Sequence, residues 1–197
     1  MFKIFNKWDT KVEIKDPGLK DYINLKPVLV PKTFGRHAKQ QFHKSNLNII
    51  ERLMNHLYVP GHRGKRHRIS SGRVTGKSTK VWEIMKNTLE IIEKKTKENP
   101  IEVLVRAIEN AALREEITSF QVGGIIVRKA VITSPQRRVD MALRLITQGA
   151  YQKAFDKPKN MAESLADEII AACNNDSSKS HAIRERERIE REAAGAR

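Results

Sequence analysis

Cysteine is nearly absent from this chain: Cys173 is the only one among 197 residues. A single cysteine excludes an intramolecular disulfide framework and points to a reducing compartment. Aromatic side chains are also scarce, at 6%. No apolar run approaches the roughly 20 residues that span a bilayer. The opening stretch Phe2-Lys3-Ile4-Phe5-Asn6-Lys7 lacks the apolar core of a secretory leader. Hydrophobic residues make up 39% and charged residues 31%, with a mean hydropathy of -0.55. That is lean for a globular chain, yet too apolar for wholesale disorder. A chain this long buries roughly 70% of its unfolded surface, enough for a sizeable core.

Acidic residues are the next scarcity, and a local one. Lys and Arg number 38 against 23 Asp and Glu, a formal net charge of +15. Between Tyr22 and Trp82 there are 13 Lys/Arg and one acid, Glu51, so this stretch alone carries +12. A second acid-free interval, Ile117 to Val139, holds Arg128, Lys129, Arg137 and Arg138. The remaining flanks nearly balance. A single-sign field this dense repels itself unless a polyanion neutralises it. Two such intervals on a balanced background point to nucleic acid. A membrane surface is not the expected partner, because no basic amphipathic helix with an aromatic stripe accompanies the charge.

The residues for other chemistry do not converge. The histidines at 37, 43, 56, 62, 67 and 181 lack the spacing of a metal site, which usually includes paired cysteines. Cys173 sits among Ile169, Ile170, Ala171 and Ala172 and reads as a small core residue. Ser71-Gly72-Arg73-Val74-Thr75-Gly76-Lys77-Ser78 resembles a phosphate-cradling loop, but Ser71 occupies the first glycine position. Such a loop must also leave a buried strand, and Arg66-His67-Arg68-Ile69-Ser70 cannot be one. No enzyme, cofactor or metal is expected.

Periodicity predicts a mainly α protein: a bundle of five to six helices with a protruding β-hairpin arm. Residues 1–31 show no helical period and read as an extended N-terminal segment lying on something else. Residues 32–197 form the body. A first helix runs through Asn46–Tyr58, capped by Ser45 or Asn46, and Pro60-Gly61 stops it. The basic loop 60–77 follows. A second helix spans Ser78 to Lys97. Asn99 caps a third, with Pro100 in the first turn and Glu102 placed for a capping box. Residues 117–132 bracket Gly123-Gly124, a two-residue hairpin turn. A fourth helix starts at Ser134-Pro135 and is expected to break at Gly149 before Tyr151. Asn160 and Glu163 open a fifth. Ile183–Glu192 alternates Arg and Glu at pairing distance and is expected to be solvated or docked on a partner. Arg137 and Arg138 fall in a first helical turn, where the macrodipole disfavours cations. A phosphate bound there accounts for the placement.

Several blocks then carry a family resemblance. Asn99-Pro100-Ile101-Glu102-Val103-Leu104, the hairpin with Val122-Gly123-Gly124, and Ser134-Pro135-Gln136-Arg137-Arg138-Val139-Asp140 resemble the universal small-subunit ribosomal protein seven family. Phe34-Gly35-Arg36-His37-Ala38 and Asn48-Ile49-Ile50-Glu51-Arg52 are similar to its archaeal/eukaryotic branch. Gly76-Lys77-Ser78 matches the family's basic step, which explains the misleading phosphate-loop likeness. The insertion from Pro60 to Thr75 departs from the bacterial pattern, as does the closing Glu192-Ala193-Ala194-Gly195-Ala196-Arg197 from a Lys/Ser/Asn-rich end. The resemblance implies a cytoplasmic ribosomal protein that binds the 3′ major domain of small-subunit ribosomal RNA and nucleates head assembly. It places the hairpin near the exit-site tRNA and messenger, with head and platform proteins as neighbours. The implied RNA contacts begin with Lys32, Arg36, His37, Lys39 and Lys44, and continue in the loop with Arg63, Lys65, Arg66, Arg68 and Arg73. Lys77, Lys80, Arg128, Lys129, Arg137 and Arg138 complete the set. The alternative is a basic architectural DNA-binding protein with a groove-seeking arm.

Overall fold

The computed structural model describes residues 3–61 and 76–197. In chain order these form α1 (Ile49–Leu57), α2 (Ser78–Thr96), α3 (Pro100–Ala111), β1 (Glu115–Val122), β2 (Ile125–Ile132), α4 (Pro135–Ala154), α5 (Met161–Cys173) and α6 (His181–Ala194). Helix starts follow local chemistry. Asn48, rather than Ser45 or Asn46, caps α1 by accepting from the Ile50 N–H. The helix begins later than its apolar period suggested, because residues 43–46 close into a short 3-10 turn. Asn99 accepts from the Ile101 N–H and Ser180 from the Ile183 N–H.

α5 lies at the centre, packed on α2, α3 and α4. Its Leu165, Ala166, Ile169 and Ala172 are fully buried, and the alanines let neighbouring helices approach closely. Ile101, Leu104 and Ile108 of α3, Met85, Leu89 and Ile92 of α2, and Leu143 and Ile146 of α4 complete that core. Cys173 at the end of α5 is only partly buried. Burial pushes its thiol above the ordinary value even though Arg106 lies beside it, so it stays protonated and poorly nucleophilic.

What the N-terminal segment lies on is the protein's own helices. Ile4, Trp8, Leu19 and Ile23 are buried in the core. The Trp8 indole N–H donates to Glu93 at 3.1 Å, and the Lys15 and Asp16 N–H groups both donate to the Glu109 carboxylate at 2.7 and 2.9 Å. The segment is thus fastened to α2 through the Trp8 side chain and to α3 through two backbone N–H groups, without forming a helix.

Two expectations need correction. α4 runs unbroken through Gly149. This glycine is a packing device: a Cβ there would stand 2.7 Å from the His181 Cβ and 3.0 Å from the Glu168 carboxylate. α6 packs one face on the body of the protein itself. Ala182, Ile183 and Ala193 are buried, the helix packs on the base of β1 and on α4, and Arg186 donates to the Asn110 carbonyl. Of its expected i,i+4 pairs, Arg188–Glu192 forms, whereas the Arg191 Nε donates to the Glu187 carbonyl at 3.2 Å.

The hairpin is two residues longer at its start than the sequence indicated, beginning at Glu115. Gly123 and Gly124 have φ of 55° and 86°, the left-handed pair that a tight primed turn needs. Burial fades along it: β1 is half-buried to Ile117 and exposed beyond, as an arm requires. Its base is tied to the chain end, where the Ala130 N–H donates to the Ala196 carbonyl at 3.3 Å and Arg197 grips Glu115 at 2.6 Å.

Candidate nucleic-acid interface

The candidate contact residues among the described ones fall into two groups. The first is built on residues 32–47, a segment of two short 3-10 turns with no buried residue in either. Arg36, Lys39 and Lys44 are exposed there, with His37 half-exposed. Lys32 is less free, because its ammonium sits 4.9 Å from the centre of the Trp82 ring. The segment bridges the starts of α2 and α4. Lys32, Phe34 and His37 share one groove with Tyr58 and Ser78. Phe42 and Lys44 share another with Gln136, Arg137 and Arg144. Arg144 escaped the sequence reading because it lies outside both acid-free intervals; its four-residue spacing from Asp140 disguised it as one half of a helical pair.

Both bridged helices start in the same unusual way. Lys77 caps α2 in an extended conformation with no side-chain hydrogen bond, and no acid occupies the first turn, which contains Lys80. α4 likewise lacks a side-chain cap and an acid in its first turn, and carries Arg137 and Arg138 there. α1, α3 and α5 each place a glutamate at that position. Unfilled N–H groups beside cations favour phosphate.

The two arginines are not equivalent. Arg137 is half exposed and forks onto Glu116, with Nη2 to Oε2 at 2.7 Å; that hydrogen bond raises its pKa further. Arg138 is mostly buried, with Nε on the Leu113 carbonyl at 3.0 Å and Nη2 on Asp16 at 2.7 Å. Burial would raise the Asp16 carboxyl, but the Arg138 hydrogen bond, the Gly18 N–H and the nearby positive charge together hold it below the ordinary range. The pair expected to hold one phosphate is thus split. Arg137 faces outward, and Arg138 clasps the N-terminal segment to the body. Lys44 and Arg52 similarly converge on Asp140, with Arg52 buried.

The second group, Arg128 and Lys129, is exposed on β2 opposite Ser119 and Thr118. Consecutive strand residues point to opposite faces, so these two do not act on one surface. Arg63, Lys65, Arg66, Arg68 and Arg73 lie outside the described residues. No helix among the described residues is long and apolar enough to cross a membrane.

The family model described as ribosomal protein S7p/S5e matches residues 19–197. The chain is 50% identical over 196 residues to small ribosomal subunit protein uS7 of Nanoarchaeum equitans, covering 99% of this chain and 98% of that protein. It is 48% identical over 196 residues to uS7 of Methanothrix thermoacetophila, covering 99% and 100%, and 46% identical over 196 residues to uS7 of Methanosphaera stadtmanae, covering 99% and 98%. Matched nearly end to end by such relatives, the chain belongs to the S7p/S5e family of ribosomal proteins.

Proposed function

We infer that this protein is a structural component of the small ribosomal subunit that binds the 3′ major domain of the ribosomal RNA. It nucleates assembly of the head, beside head and platform proteins, and its hairpin arm reaches toward the exit-site tRNA and the messenger. The observation that carries the reading is the joining of two uncapped, acid-free helix starts by the basic 32–47 segment. Such a surface offers backbone N–H groups, ammonium and guanidinium groups at several separated points. It suits a folded polyanion whose phosphates approach from different strands. Arg36, Lys39, Lys44, Lys77, Lys80 and Arg137 are the exposed cations of that surface, with His37 half-exposed beside them. Lys32 reaches its edge, and Arg63, Lys65, Arg66, Arg68 and Arg73 are RNA contacts by family resemblance alone.

The test is sedimentation of tagged protein in gradient-fractionated extract, followed by binding to a transcript of the 3′ major domain. Co-migration with the small subunit, and binding that excess duplex DNA does not displace, are expected. Protein that stays at the top of the gradient, or that DNA competes away as well as RNA does, overturns the reading.

A further inference from the structure

A single exposed apolar side chain needs no explanation. Phe34 and Phe42 are a different case. They are 88% and 67% exposed, lie eight residues apart on one basic segment, and both have positive φ, 54° and 64°. A bulky residue in that region is a genuine outlier, and such outliers gather where a surface has work to do. The segment carrying them is fastened. The Thr33 N–H and hydroxyl donate to the buried Glu51 carboxylate at 2.7 and 2.6 Å, Lys44 pairs with Asp140, and Leu47 is buried. The backbone therefore holds both rings outward.

Their surroundings identify what would cover them. No acid occurs from residue 32 to residue 50. Phe34 lines a groove with Lys32, Arg36 and His43, and Phe42 one with Lys44, Arg137, Arg144 and a single acid, Asp140, which Lys44 and Arg52 already neutralise. An acidic ligand with flat apolar faces fits both features together. A paired helix hides its base faces and offers mainly phosphates and sugars, so the rings would gain nothing from it. Unpaired nucleotides offer a π-face and a phosphate each, the combination that aromatic and cationic side chains bind in single strands. We propose that Phe34 and Phe42 are stacking platforms for unpaired bases of RNA, with the flanking cations holding the adjoining phosphates. This rests on the ribosomal RNA reading above.

The experiment uses the full chain and two fluorescent probes of equal length, a short oligoadenylate containing 2-aminopurine and a blunt RNA duplex. Phe34→Leu and Phe42→Leu keep an apolar side chain and remove the ring, and because both sites are exposed the helical circular dichroism should not change. Each substitution is expected to weaken oligoadenylate binding about five- to tenfold and duplex binding less than about twofold. The 2-aminopurine quenching seen with wild type should be lost in the double variant and restored by Phe→Trp at both positions. Unchanged oligoadenylate binding by the double variant, or equal loss on both probes, overturns the inference and leaves this face to a protein neighbour. Wild-type protein that binds neither probe nor the 3′ major domain transcript overturns the RNA reading itself, and this inference with it.

Discussion

Gly149→Ala sets two calculable effects against each other. Alanine in place of glycine inside a helix favours folding by about 1 kcal/mol. Against this, the new methyl would stand 2.7 Å from the His181 Cβ, well inside the ~3.5–4.0 Å at which carbons attract. The His181 Cβ is attached directly to the backbone at the start of α6 and cannot rotate away. The methyl would also lie 3.0 Å from the Glu168 carboxylate, which is fully buried. That carboxylate accepts from the Ser180 hydroxyl at 2.9 Å and the Ala182 N–H at 3.0 Å, and pairs with Lys153 at 2.5 Å. Overpacking costs about 1–3 kcal/mol, and each loosened hydrogen bond to a charged group about 1.5–3 kcal/mol. Since the carboxylate can shift and keep part of its bonding, the expected net is a loss of about 2 kcal/mol. For a domain of this size that lowers Tm by about 4–8 °C. Urea unfolding followed by circular dichroism should show a lower midpoint at an unchanged slope. A midpoint equal to or above wild type would mean that α6 yields freely and that the close packing of α4 on α6 is not what retains glycine here.

The same residue shows where sequence reading stops. Gly149 looks like a helix interruption because its reason, His181, is a sequence-distant neighbour. Features set within a few residues were legible: Asn99 capping α3, Gly123-Gly124 turning the hairpin, the apolar faces of α2, α3 and α5. The charge surface was legible as composition but not as geometry. Nothing local says that Arg138 meets Asp16, 122 positions away, while Arg137 beside it stays half exposed. For α6, an Arg/Glu-rich helix with two isoleucines reads as solvated, yet alanines at 182 and 193 are small enough to disappear against the body. Phe34 and Phe42 were missed for a different reason. Nothing in the sequence says which way a loop phenylalanine faces, and exposure with positive φ reveals rings turned outward.

Three further outcomes are expected. RNA affinity should fall with salt at a log–log slope of about −0.7 to −0.9 per phosphate over about six to ten contacts; a slope shallower than about −3 would make most of the charge a spectator. Thr118 faces Lys129 and Ile117 faces Ala130, so replacing residues 118–129 by an Asn-Gly turn should leave a closed base that Arg197 and Ala196 still hold. Stability should fall by only about 1–2 kcal/mol, and loss of the helices at room temperature would show the arm to be core. The last concerns His56, which desolvation by burial pushes below the ordinary value of 6.5, reinforced by Arg52, Lys44 and Arg144 and opposed by Asp140. Its folded pKa is below its unfolded one, so between the two the unfolded chain binds the extra proton and stability rises with pH. The contribution is complete above about pH 6.5 and is lost as pH falls through the folded value. Other groups titrate in the same range, so the informative quantity is the difference between wild type and His56→Gln. Urea midpoints measured from pH 7.5 down to 5 should converge as the wild type loses this contribution and the glutamine variant does not. Parallel curves would mean that Asp140 cancels burial and the three cations, leaving the folded pKa of His56 equal to the unfolded one.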